Sequence, residues 1–247
     1  MTLSTRSSLE LEERARTLND SFQGLTAQQI LDRLLNGRVA GRIAVVSSFG
    51  AEAAVLLKLV ADKDPATPVV FLDTRRHFPE TIGYVDDLMD QLGLTTLVRA
   101  RPRPAGIEAE DPDSTLASSD SDRCCYLRKT LPMMSVLRNF DAVLTGRKRF
   151  QTADRSDMAF VERQETWLRV NPLADWSHER IRNYLADNNL LAHPLVAQGF
   201  PSIGCEPCTA RSDDYRAGRW AGTDKTECGI HITEDGKVVP INRSVGK

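Results

Sequence analysis

No apolar run in this chain approaches the roughly 20 residues that a membrane-spanning helix needs, and the amino-terminal stretch from Met1 to Glu13 lacks an apolar core of signal-peptide length. A cytoplasmic chain with no membrane partner is therefore expected. An excess of one charge is missing too. Against 34 Asp and Glu stand 32 Lys and Arg, a net charge of -2, so the chain has no general attraction to nucleic acid or anionic lipid, and any basic function must be local. No internal repeat and no low-complexity tract is visible, which argues against a solenoid or a disordered linker. Cysteine is scarce, and its odd count of five, two of them adjacent, makes a poor secreted disulfide framework. A reducing compartment would keep such thiols free for metal or redox work.

What is present reads as one domain of ordinary globular composition. A charged amino-terminal helix precedes a capping box at Thr26 and Gln29, which opens an apolar-periodic stretch through Ile30, Leu31, Leu34 and Leu35. Strands are then expected at 42–47, 68–73, 94–98 and 141–145, with helices at 51–60, 79–92, 123–137 and 177–188; Pro132 should end or bend the third of these helices. Shorter strands fall within 158–170. Strand alternating with helix implies an α/β fold, a single domain whose mostly parallel twisted sheet is flanked by helices. Pro102, Pro104 and Pro112 with clustered Asp and Ser mark 101–122 as a surface excursion. The expected division is a helical segment at 1–40, a nucleotide-binding α/β domain at 41–208, and a mobile segment at 209–247.

In an open parallel sheet, ligands bind at the carboxyl ends of strands. Three such ends carry distinctive groups. Ser47, Ser48, Phe49 and Gly50, followed by Ala51 and Glu52, turn from a strand into a helix whose free N–H groups can hold an anion; a plain glycine turn explains the segment equally well. The second end brings Asp73, Thr74 and Arg75. The third runs through Thr145, Gly146, Arg147, Lys148, Arg149 and Gln151, where guanidinium groups following a buried strand should project over the same cleft.

The cysteines divide four and one. Adjacent helical positions point about 100° apart, which suits Cys124 and Cys125 to different irons of a cluster better than to one ion. Cys205 and Cys208, a C-x-x-C in a turn, would supply the other two thiolates. A [4Fe-4S] cluster, zinc and four buried structural thiols all remain open on this pattern alone. Cys228 stands apart, between Lys225 and His231. Lys129 falls four residues after Cys125, on its helical face, and is either a charge placed between cluster and substrate or an exposed lysine. Arg211, Arg216 and Arg219 could close over an anion or form a basic surface loop. His178 and His193 read as structural, and Trp167 and Trp176 as packing residues.

Assembled, these motifs resemble the iron–sulfur adenylylsulfate (APS) reductases of the sulfonucleotide reductase family. The resemblance runs from about Ser47 to His231. It is carried by Cys124-Cys125-Tyr-Leu-Arg-Lys129, by 171–177 (Asn-Pro-Leu-Ala-Asp-Trp-Ser), by Gly199 through Cys208, by Arg216-Ala-Gly-Arg-Trp220 and by Lys225-Thr-Glu-Cys-Gly-Ile-His231. It implies a nucleotide loop related to the PP-loop of adenine nucleotide alpha-hydrolases, a [4Fe-4S] cluster on Cys124, Cys125, Cys205 and Cys208, and Cys228 as nucleophile. APS would be bound by the three strand ends with Lys129, Arg216, Arg219 and His231, and reduced to sulfite and AMP through an S-sulfocysteine that thioredoxin or a similar dithiol resolves. A homo-oligomer is left open. Many relatives carry Gly where this chain has Arg75, and the chain continues beyond His231 farther than the family pattern. The rival readings are a reductase of 3′-phosphoadenylylsulfate (PAPS), a PP-loop ATP pyrophosphatase, which should carry a Gly-Gly-x-Asp-Ser loop absent here, and a zinc-stapled adaptor.

Overall fold

Two amino-terminal helices, α1 (Ser8–Phe22) and α2 (Ala27–Leu35), lead into an alternating core of β1 (Ile43–Ser47), α3 (Ala53–Ala61), β2 (Val69–Leu72), α4 (Pro79–Leu92) and β3 (Leu97–Ala100). The remaining elements are α5 (Pro104–Glu110), α6 (Leu116–Ser119), α7 (Ser121–Cys125), α8 (Leu131–Leu137), β4 (Ala142–Thr145), β5 (Val161–Arg163), β6 (Leu168–Val170) and α9 (His178–Asp187). This is a computed structural model, and it describes residues 8–220. Among them no helix is long and apolar enough to cross a membrane.

The six strands form one sheet in the order β3-β2-β1-β4-β6-β5. All neighbours are parallel except β5 with β6. β1, β2 and β4 are buried almost throughout, as expected for strands covered on both faces, and their Val, Ile, Leu and Phe side chains divide between two apolar layers. The chain winds from β1 to β2 and β3 on one side, then returns to place β4 on the other side of β1. The carboxyl ends of β1 and β4 therefore flank the switch in winding direction, where such sheets open a crevice.

The amino-terminal segment belongs to the same body. Leu11, Ala15, Leu18 and Phe22 of α1 are buried in the main core. Asn19 donates to the Val161 carbonyl (2.8 Å) and accepts from its N–H (2.9 Å), so a single amide side chain satisfies both backbone groups of Val161 at the start of the edge strand β5. The capping box at Thr26 and Gln29 forms as read.

Three local departures have physical causes. Leu94 is not the start of β3: Gly93, at φ +65°, ends α4 in the left-handed conformation and the Leu94 N–H closes on the Met89 carbonyl. The 101–122 excursion folds into α5 and α6, with Pro104 in the first turn of α5, where its missing N–H is not needed. Pro132 neither ends nor sharply breaks its helix, because the turn before it, Tyr126–Thr130, widens into π register and joins α7 to α8. Leu131 N–H reaches back to the Tyr126 carbonyl, absorbing the ladder defect just ahead of the proline.

Candidate active site

A cavity of about 800 Å³ opens at the carboxyl edge of the sheet. Its floor is the β1 loop (Ser47, Ser48, Gly50, Ala51, Glu52), one wall the end of β4 (Thr145, Gly146, Arg147, Lys148, Gln151), and its cover the 201–220 segment. Seven cationic side chains line it (Lys129, Arg147, Lys148, Arg155, Arg169, Arg216, Arg219) against three acidic ones (Glu52, Asp154, Glu162), so its lining carries an excess of positive charge inside a slightly acidic protein.

The β1 loop is strained where it turns. Phe49 takes φ +49°, a left-handed conformation uncommon for a side-chain-bearing residue, while its N–H donates to Ser47 Oγ (3.1 Å). The Phe49 ring does not face the cavity; it is fully buried, edge-on to Phe71 at 5.4 Å. Gly50 makes room for protein backbone, since a Cβ there would sit 2.9 Å from the Ile203 carbonyl oxygen. The covering segment can thereby lie directly on the loop. Gly204 plays the same part for Arg219, whose guanidinium occupies the volume that a Cβ would need.

At the end of β4 the arginines diverge. Arg147 pairs with Glu162 at 2.6 Å in the cavity wall, and the same carboxylate accepts from Asn171 (2.7 Å), which in turn accepts from Thr145 Oγ1 (2.6 Å). Arg149 turns away, donating to the Met158 carbonyl (2.9 Å) and lying over the Phe160 ring. Lys148 is buried against Glu52 (2.5 Å), and Tyr215 donates to that same carboxylate (2.8 Å). Burial lowers the Lys148 pKa, with the Glu52 carboxylate opposing the shift. Burial, then the nearby Arg147, brings Arg169 down to about 10, which leaves it cationic at neutral pH.

The second strand end turns toward the cysteines. Asp73 is buried, accepts from Arg101 Nε (2.7 Å) and from the Arg75 N–H (3.2 Å), and does not line the cavity. Thr74 Oγ1 lies 3.2 Å from Cys205 Sγ. Arg75 adopts φ +61°, the backbone region that favours glycine. Arg211 stacks over Phe200 outside the cavity, whereas Arg216 and Arg219 enter it.

Cys124, Cys125 and Cys205 are buried, and Cys208 is half-buried. Cys205 lines the cavity, and its backbone forms an isolated antiparallel β-bridge with that of His77. Burial pushes the Cys124 thiol up, Arg128 opposes this, and the nearness of Cys205 and Cys208 adds to it. The two cysteine pairs, some 80 residues apart in sequence, thus share one locality. Lys129 is buried and faces the cavity, not the exposed surface. Cys228 and His231 lie outside the described residues.

Glu52, Lys148, Arg155, Glu162, Arg169 and Tyr215 also shape the cavity, although sequence reading assigned none of them a site role. Lys148 and Glu52 sat inside recognised loops; nothing local distinguishes Tyr215. His193 is structural as expected, and Trp176 packs, while half-buried Trp167 lines the cavity beneath Arg169.

A family model described as the phosphoadenosine phosphosulfate reductase domain matches residues 42–211. The chain belongs to this family. Among its relatives, the adenosine 5′-phosphosulfate reductase of Chelativorans sp. (strain BNC1) is 46% identical over 228 residues, covering 91% of this chain and 93% of its own. That of Mesorhizobium japonicum is 42% identical, covering 89% and 88%, and that of Mycobacterium tuberculosis 41%, covering 76% of each. The reductase relatives make this chain an oxidoreductase. In fold it is similar to the crystal structure of phosphoadenylyl-sulfate reductase from Candida auris (TM-score 0.66, 23% identity, 85% of this chain and 99% of that one). It is also similar to yeast FAD synthetase (TM-score 0.53, 15% identity, 83% and 76%). These likenesses concern the architecture alone.

Proposed function

We propose that this chain reduces adenylylsulfate to sulfite and AMP in sulfate assimilation, using Cys228 as nucleophile and a thioredoxin-like dithiol as electron donor. The observation that carries the reading is the cation-lined cavity at the β1/β4 switch with Cys205 at its edge, in a chain whose relatives are named for this reaction. The loop N–H groups before α3 and the Arg147, Arg216 and Arg219 side chains suit a phosphosulfate. The Cys228 thiolate attacks the sulfonate sulfur; an S–S bond forms, the S–O bond to AMP breaks, and AMP leaves with the electron pair. A dithiol then attacks the Cys228 sulfur and sulfite departs with two electrons, after which the second thiol closes a disulfide and frees Cys228. The dithiol is oxidised and sulfur reduced by the same two electrons.

The four thiols fit a [4Fe-4S] cluster in donor chemistry: all sulfur, mostly buried, with two ligands on consecutive helical positions and two at the ends of a 3₁₀ turn, Cys205 capping it and Cys208 closing it. Cys124, Cys125, Cys205 and Cys208 would hold it. Bound there, the cluster would order the site and tune its electric field, with Lys129 between it and the nucleotide. Such chemistry suits the reducing cytoplasm.

The decisive assay mixes purified protein with APS and reduced thioredoxin and measures sulfite and AMP together. Stoichiometric release of both is expected, with a higher kcat/KM for APS than for PAPS. Absence of sulfite with iron-replete protein overturns the reading; a PAPS preference replaces the substrate.

A further inference from the structure

The covering segment crosses the cavity as a loop with a tied base. Thr209 and Arg219 form an isolated antiparallel bridge, the Ala210 N–H donates to the Gly218 carbonyl (2.7 Å), and the Trp220 N–H donates to the Cys208 carbonyl (3.2 Å). Between those ties, 211–217 contains no helix or strand. Its outgoing limb rests on the turn at Gly199 and Phe200, where the Ser212 N–H donates to the Gly199 carbonyl (3.1 Å) and Arg211 stacks over the Phe200 ring. Tyr215 fastens the returning limb. Its hydroxyl donates to Glu52 Oε2 (2.8 Å) and accepts from Gln151 Nε2 (3.3 Å), while its ring packs against those of His178 (4.8 Å between centroids) and Phe150 (5.4 Å).

The same Glu52 oxygen accepts from Lys148 Nζ (2.5 Å), so one carboxylate gathers the β1 loop, the end of β4 and the covering loop. A hydrogen bond to a charged acceptor is about twice as strong as one between neutral groups. Burial first, then the Glu52 charge, raises the Tyr215 pKa, so the hydroxyl keeps the proton that it donates. The next residue is Arg216, which lines the cavity. A long guanidinium arm on an irregular loop is placed only as well as the backbone beneath it is anchored. We propose that Tyr215 is a positioning residue: by fastening the returning limb to Glu52, it holds Arg216 over the anion site. This role rests on the adenylylsulfate reading above, in which Arg216 meets the phosphosulfate.

Tyr215→Phe keeps the ring contacts and deletes the bond to Glu52. Hydrogen exchange read by mass spectrometry on the full chain, without nucleotide, should show 211–219 exchanging about fivefold or more faster in the variant, with β1, β2 and β4 unchanged. In sulfite release from APS with reduced thioredoxin, KM for APS should rise about tenfold while kcat stays within about twofold, because saturating substrate draws the loop back into place. A mere loss of folded protein would lower kcat and leave KM alone. A double-mutant cycle tests the route: in an Arg216→Ala background, adding Tyr215→Phe should change KM by less than about twofold. Unchanged exchange at 211–219 overturns the proposal, since the hydroxyl would then hold nothing. So does an unchanged KM in Tyr215→Phe. A full tenfold rise in the Arg216→Ala background overturns it as well, because Tyr215 would be acting apart from Arg216. Wild-type protein that releases no sulfite overturns the proposed function, and this role falls with it; that failure appears before any variant is made.

Discussion

Arg128 and Asp111 form a fully buried ion pair in which both Nε (3.1 Å) and Nη2 (2.6 Å) of the arginine donate to one carboxylate oxygen, Oδ2. The remaining guanidinium nitrogen donates to the Thr74 carbonyl (3.2 Å). Thr74 in turn touches Cys205, so this pair links the 101–122 excursion, the cysteine-bearing helix and the second strand end. Burial alone would raise the Asp111 pKa, but the Leu116 N–H and Arg128 outweigh it and hold the carboxyl below its ordinary value. Replacing Asp111 by Ala leaves a buried guanidinium uncompensated and should cost about 3–5 kcal/mol in urea unfolding. Adding Arg128→Met to Asp111→Ala should recover part of that loss. A loss below about 1 kcal/mol in the single variant would mean that water reaches the pair.

Arg75 holds a backbone conformation that suits glycine, with its side chain mostly exposed. Left-handed geometry costs a side-chain-bearing residue about 1–2 kcal/mol, and glycine's extra unfolded-state freedom offsets part of the relief. Arg75→Gly should therefore stabilise the protein by up to about 1 kcal/mol, read as a rise in Tm. A fall in Tm would show that the Arg75 side chain contributes more than its backbone costs.

His193 predicts an acid limit. Its Nδ1 accepts from the Leu195 N–H (3.2 Å), so Nε2 carries the proton and donates to Thr81 Oγ1 (2.9 Å). Burial first, helped by His77 and opposed by Glu80, lowers its pKa from 6.5 to about 4. Between those values the unfolded chain binds a proton that the folded chain refuses, so stability rises with pH there. The contribution is complete above pH 6.5, declines on acidification toward pH 4 and is absent below. Its full size is about 3 kcal/mol at most. His193→Gln should flatten the stability profile between pH 4 and 6.5 relative to wild type; parallel profiles would assign the acid sensitivity to other groups.

Cys228→Ser separates binding from chemistry. Iron and acid-labile sulfide content and AMP affinity should match those of wild type, while sulfite release falls below detection. Mass spectrometry of wild-type protein quenched after mixing with APS should find the sulfonate adduct on Cys228. An adduct on another cysteine would move the nucleophile.

Cys124→Ser addresses the other thiols. Loss of iron, of labile sulfide and of the brown chromophore is expected together, since a hydroxyl is a poor substitute for a thiolate at such a centre. One zinc per chain in wild-type protein, with no sulfide, would point to a structural metal instead.

Much of the fold was legible because its signals are local. Apolar runs at 42–47, 68–73 and 141–145 mark strands buried on both faces; Thr26 with Gln29 and Pro79 open helices; alternation of the two implies a parallel sheet. The cysteine spacing, the β1 loop and the arginine-rich end of β4 were legible as well. Side-chain direction was not. Phe49 and Arg149 stood in the right loops, yet one ring entered the core and one guanidinium found a backbone carbonyl behind the strand. Asp73 and Thr74 end the predicted strand, but partners 28 and 131 residues away claimed their oxygens.

The amino-acid sequence by itself determined where strands and helices alternate and which thiols and cations the protein has to work with, because hydrophobic periodicity, caps and spacing act over a few neighbouring residues. Tertiary structure alone decided which of those groups meet: that Glu52 would gather Lys148 and Tyr215, that Arg128 would bury itself on Asp111, and that Lys129 would face the cavity. Those pairings depend on desolvation and on contacts closed across long stretches of chain, and neither is written in any local run of residues.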